Sequence, residues 1–175
     1  MAPTEFIVVR WQGMSKIGGI CIFRQPFNLT SPPMEELGIS YTAIAVATIA
    51  NFIIGALWYG VIFKNAWMKE MDIKADQRPP AGLMIRSLLM NLVGCFFLAF
   101  VFAHNTAAWT FVPGTEVMSP TASIANAAIF TWLGFFLIVD LNTVAFEARS
   151  WKLFFINTSY HFMMVLVSAI ILHTL

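Results

Sequence analysis

The chain has 175 residues, of which 59% are hydrophobic and 11% charged, with a formal net charge of +1. Soluble domains carry about 25% charged residues, so this composition excludes an ordinary water-facing surface but suits one that faces lipid. No lysine-rich or arginine-rich run is present, and nucleic acid is not an expected partner.

Residues 1–33 read as an N-terminal extension, poorly ordered or lying upstream of a natural start at Met34. They hold Arg10, Lys16 and Arg24, and Pro26, Pro32 and Pro33. Apolar runs in the segment, such as Phe6 to Val9, are too short for the core of a signal peptide. Asn28-Leu29-Thr30 matches a glycosylation acceptor, which matters only on a secretory route.

Residues 34–175 read as an all-α integral membrane bundle of four transmembrane helices joined by short loops. A helix rises about 1.5 Å per residue, so a hydrocarbon core of about 30 Å needs roughly 20 apolar residues. Four stretches qualify, over about residues 39–63, 87–104, 121–146 and 153–175. They are continuously apolar rather than alternating, which favours helices over a membrane barrel.

The first loop, 64–86, carries Lys64, Lys69, Lys74, Arg78 and Arg86, and the third, 147–152, carries Arg149 and Lys152. The second loop carries no basic residue. Basic residues in short loops mark the cytoplasmic side. The pattern therefore predicts loops 64–86 and 147–152 in the cytoplasm and both termini outside, in a plasma membrane or bacterial inner membrane. Trp67 to Ile73 reads as an amphipathic continuation along that inner surface.

Trp58, Trp67, Lys69, Glu147, Arg149, Trp151 and Lys152 are the expected inner-interface anchors. Trp132 falls mid-span and is expected to pack inside. His104 and His173, near the outer ends, read as interface residues.

Asp140 is the one charge within a span. Such a residue usually faces the bundle interior and finds a partner. Asp140 and His161 lie about equally far from the centre of the loop between spans three and four. At about 1.5 Å per residue both fall roughly 10–15 Å inside the interface, which predicts a contact between them. Asn157, His161, Met164 and Ser168 share one face of span four. Thr48, Asn51, Gly55 and Trp58 share a face of span one, and Ser87, Asn91 and Gly94 a face of span two. These stripes are expected to face one another. Asp140, His161, Asn157, Asn142, Asn51 and Asn91 are therefore the candidate intramembrane polar site. The functional reading is a proton-responsive or cation-responsive site, and the plainer one is interhelical packing.

No His/Cys cluster has metal-ligand spacing, and no phosphate-binding or dinucleotide fingerprint appears. No nucleophile elbow appears either. Catalytic residues, metals and cofactors are accordingly expected to be none, and the protein is not expected to be an enzyme. Cys21 and Cys95 lie too far apart in sequence to suggest a disulfide framework.

Two blocks carry a family resemblance. One is Ile54-Gly55-Ala56-Leu57-Trp58-Tyr59-Gly60 with Phe63-Lys64-Asn65-Ala66-Trp67-Met68-Lys69. The other is Leu141-Asn142-Thr143-Val144 and Phe146-Glu147-Ala148-Arg149-Ser150-Trp151-Lys152, followed by Asn157 and Tyr160-His161. From about Met34 onward the chain resembles the small membrane-protein family known as domain of unknown function 1761. The resemblance implies a four-helix membrane domain and no established activity. Val61 stands where members often have proline, which implies a less sharply bent exit from helix one. The expected roles are a small transporter or channel-like homo-oligomer for a small solute or ion. The alternative is a non-catalytic scaffold or accessory subunit of a membrane assembly.

Overall fold

The computed structural model describes residues 14–17, 20–23, 38–74, 79–112 and 114–175. The chain divides into two units, Met1–Glu36 and Leu37–Leu175. In the first, strands β1 (Met14–Ile17) and β2 (Ile20–Phe23) pair antiparallel, with Met14 opposite Phe23. The Asn28-Leu29-Thr30 sequence lies outside the described residues.

The second unit is all-α. Its helices are α1 (Tyr41–Leu57), α2 (Lys64–Glu70), α3 (Ala81–Trp109), α4 (Pro120–Thr131), α5 (Leu137–Glu147) and α6 (Trp151–Thr174). A π-helical turn, Trp58–Ile62, extends α1, and a second, Trp132–Phe136, joins α4 to α5. Four helical stretches are long and apolar enough to cross a membrane: Tyr41–Ile62, Ala81–Trp109, Pro120–Glu147 and Trp151–Thr174.

Local chemistry sets the helix starts. The Ser40, Ser119 and Ser150 hydroxyls accept from the backbone N–H of Ala43, Ala122 and Leu153, at 3.1, 3.3 and 3.1 Å. A serine at this position satisfies one of the N–H groups that the first helical turn leaves unpaired. Pro120 occupies the first turn of α4, where its missing N–H costs nothing.

Span two is longer than the 87–104 expected. It begins directly after the Pro79-Pro80 pair, and the lone Arg86 does not interrupt it, because a long basic side chain can reach toward the interface. The inner amphipathic helix also differs from expectation. It runs over Lys64–Glu70 and ends before Asp72, whose positive φ of 55° breaks the helix.

Span four is the hub. It packs against α1 and α4, and to a lesser extent against α5, α3 and α2. Toward the loop-two end, Ile44, Ala47, Ala99 and Ala103 form one buried cluster; Phe102, Ala128, Val165 and Ala169 form another. The alanines let the helix backbones approach closely, a usual feature of membrane interfaces. The opposite end is looser: from Ala81 to Gly94 every residue of α3 except Leu92 is exposed.

Candidate functional site: an intramembrane polar cluster around Asp140 and His161

The register of the last hairpin brings Asp140 of α5 against His161 of α6. Asp140 Oδ2 lies 2.8 Å from His161 Nδ1. The Asp140 side chain is 5% exposed and that of His161 is 25% exposed. Among the described residues, His161 Nε2 has no hydrogen-bond partner. The ring also packs against Phe136 and Tyr160, with centroids 5.1 and 5.4 Å apart. Aromatic neighbours on two sides fix its orientation while its far nitrogen stays open.

Span one closes the other side. The Tyr59 hydroxyl donates to Asn157 Oδ1 at 3.0 Å, and the Tyr59 ring meets Tyr160 edge-on at 5.0 Å. Tyr59 lies in the π-turn that extends α1 and is half-buried against these partners. Gly55 spacing was the available signal: Tyr59 falls four residues later, on the same helix face.

Two indoles clamp α6. Trp58 Nε1 donates to the Ile156 carbonyl at 3.0 Å, and Trp132 Nε1 to the Thr158 carbonyl at 2.9 Å. Each tryptophan opens a π-turn and is followed two residues later by glycine, Gly60 and Gly134. Trp58, expected as an anchor at the interface, thus acts inside the bundle. Trp132 packs inward, as its mid-span position predicts.

Deeper in the bundle, Asn51 is fully buried and its Nδ2 donates to Ser168 Oγ at 2.8 Å. Asn51 Oδ1 is buried without a partner among the described residues. The stripes of spans one and four therefore do meet. In span two Ser87, Asn91 and Gly94 are exposed, and of these the Asn91 amide nitrogen reaches the seam, 3.6 Å from where a Cβ on Gly55 would stand. Asn142 is exposed too, because it lies two residues after Asp140 and so points to a different side of α5. The structure thus brings together Asp140, His161 and Asn157, places Asn51 in a separate contact, sets the Asn91 amide beside Gly55, and leaves Asn142 outside.

At the loop end, Glu70 links α2 to the start of α6. It accepts from the Ser150 hydroxyl at 2.5 Å, and its other oxygen lies 3.6 Å from Lys152 Nζ. Arg149 lies 3.9 Å from Glu147, and both are exposed. Trp151 is exposed, whereas Trp67 is half-buried against Tyr59. Lys69 is exposed on α2. No group of three or more His, Cys, Asp or Glu side chains is placed to hold a metal among the described residues.

An all-helical domain with four membrane-length apolar helices, enclosing a carboxylate–imidazole pair, is an integral membrane bundle. The sequence model of the family described as "Protein of unknown function (DUF1761)" matches residues 42–173, and the chain belongs to that family. No curated protein and no solved structure matches it.

Proposed function

We propose that this is a non-enzymatic membrane protein whose Asp140–His161 pair exchanges protons or responds to a small cation, in support of transport of a small solute or ion. One observation carries this reading. The imidazole is held by a buried carboxylate on Nδ1, yet Nε2 has no partner among the described residues and the side chain is a quarter exposed. A pair serving only to lock the hairpin gains nothing from an open nitrogen. Intramembrane ionisable residues are costly and typically mark ion or proton paths. With the carboxylate ionised, it accepts from Nδ1–H, and Nε2 is then the lone pair that takes a further proton.

The basic loops argue for the orientation. Lys64, Lys69, Arg149 and Lys152 gather at one end of the bundle, with α2 beside the start of α6, and this end faces the cytoplasm of a plasma or bacterial inner membrane. Lys69, Arg149 and Trp151 then anchor that face among lipid headgroups.

A scaffold role is the second reading, and the indole clamps favour it. Trp58 and Trp132 fix α6 from both sides, as a rigid framework requires. Proteoliposomes with a trapped pH-sensitive dye separate the two. Under an imposed membrane potential, the intact chain should collapse a proton gradient faster than empty vesicles. Asp140→Asn and His161→Gln should each abolish the difference. A folded intact chain that is silent in this assay, and in parallel alkali-cation flux, leaves the scaffold.

A further inference from the structure

We infer that the groove between α2 and α6 binds one anionic phospholipid, with an acyl chain along its apolar length and the phosphate on Lys152. The groove is open and has a volume of about 700 Å³, within the range of small-molecule sites. Phe63 and Ala66 form one wall; Trp151, Lys152, Phe155 and Ile156 form the other. It exists because the helix is interrupted at Phe63, whose φ of −108° and ψ of 11° lie off α-helical values, and α2 then runs beside the start of α6. The Phe63 ring is held in the wall by Trp58, with centroids 4.8 Å apart.

The groove changes character along its length as a lipid does. Trp151 and Lys152 open α6 at the membrane surface. Ser159, at the far end, follows Lys152 by seven residues, which puts it about 10 Å deeper, in hydrocarbon. The Ser159 hydroxyl donates back to the Phe155 carbonyl, so the floor offers no free donor. The mouth does. Trp151 is exposed, and its indole N–H has no partner among the described residues. Lys152 is oriented rather than neutralised. Glu70 Oε1 lies 3.6 Å from its ammonium, too far for a hydrogen bond, and the other Glu70 oxygen accepts from Ser150. The Lys152 side chain is 57% exposed against 17% for Glu70, which leaves ammonium hydrogens for an anion. Over the described residues of 64–86 and 147–152, basic side chains outnumber acidic ones six to three, a field that draws anionic headgroups. The occupant is a lipid because the groove lies in the wall of a membrane-spanning bundle. One cation above one apolar channel matches one phosphate above one chain. This inference does not depend on proton exchange at Asp140 and His161.

Native mass spectrometry of the full chain in detergent micelles measures the first bound lipid as dioleoyl phosphatidylglycerol or dioleoyl phosphatidylcholine is titrated in. The anionic lipid should bind about fivefold tighter. Lys152→Gln should remove that preference by weakening phosphatidylglycerol about fivefold, as loss of one basic residue at an anionic headgroup implies, with phosphatidylcholine unchanged. Ala66→Leu, which fills the groove without altering charge, should weaken both lipids. Lys69→Gln, which lines a separate hollow with Lys64 and Asn65, should change either affinity by less than about twofold. Near-UV circular dichroism checks each variant's fold, and Ala66→Val replaces Ala66→Leu where the larger side chain disturbs α2. Equal losses for Lys69→Gln and Lys152→Gln would reduce the effect to general surface charge and overturn the inference. Displacement of the lipid by inorganic phosphate would mean a headgroup contact without a seated chain, and overturns it as well. So does a dimer that Ala66→Leu dissolves, since a second copy would then fill the groove.

Discussion

Gly55 is closely packed, and adding one methyl group there tests the packing directly. In Gly55→Ala the new Cβ would stand 2.8 Å from Tyr160 Oη and 3.5 Å from Cζ. Ordinary contact begins near 3.4 Å, so about 0.6 Å must be found. The phenol ring cannot easily yield it. Tyr160 is 6% exposed and sits among Trp58, Tyr59 and His161. Overpacking of this kind typically costs about 1–3 kcal/mol. Alanine recovers up to about 1 kcal/mol through helix propensity. The expected net loss is therefore about 1–2 kcal/mol. Tyr160→Phe removes the clashing oxygen, which has no hydrogen-bond partner among the described residues, and alone should cost under about 1 kcal/mol. The double variant should recover most of the loss, giving a coupling of about 1–2 kcal/mol. Unfolding in mixed micelles, followed by near-UV circular dichroism, measures all four corners of the cycle. A fully stable Gly55→Ala, or strictly additive effects, would refute the placement of Tyr160 against span one.

Ala148 holds a left-handed φ of 53° where α5 ends, and the Arg149 N–H donates to the Thr143 carbonyl at 3.1 Å. Glycine adopts that conformation without strain, so Ala148→Gly should stabilise the same unfolding transition by about 1 kcal/mol. Trp132→Phe removes the indole donor to Thr158 and should cost about 1 kcal/mol or more, whereas Trp109→Phe, at an exposed position, should be neutral within about 0.5 kcal/mol. At the loop end, Ser150→Ala loses both the cap of α6 and the bond to Glu70, a cost of about 1 kcal/mol. Lys152→Gln breaks only a half-exposed ion pair and should change stability by less than about 1 kcal/mol. Equal losses for these last two would show that charge, not capping, ties α2 to α6.

Much of this fold was legible in the sequence because a membrane helix must satisfy its backbone internally, and so needs an unbroken apolar run of fixed length. The positions of Asp140 and His161 were legible for the same reason. In a hairpin of two straight helices, equal distance from the turn means equal depth, and a charge at that depth needs a partner. The length of span two was less legible, because Arg86 reads as a boundary in a hydropathy pattern but can snorkel in a real helix. The two π-turns were not legible at all. Nothing in the local pattern of Trp58–Ile62 distinguishes a five-residue winding from a four-residue one.

Helix order was the other hidden quantity, and it explains why one polar stripe went unburied. Periodicity says that a helix has a polar face but not which neighbour covers it. Span four touches each of the other three spans, and carries buried residues along its whole length, from Leu153 to Ala169. Its partners compete for its surface near the loop-bearing end. Span one takes Ile156 and Asn157 through Trp58 and Tyr59, while span three takes Thr158 and His161 through Trp132 and Asp140. Little of the α6 surface is left there for span two. Its side chains become buried only beyond Gly94, where Ala99 and Ala103 meet Ile44 and Ala47. The same crowding that builds the Asp140–His161 cluster thus leaves Asn91 exposed at the rim, with its amide nitrogen beside Gly55 of span one rather than packed among the α6 partners.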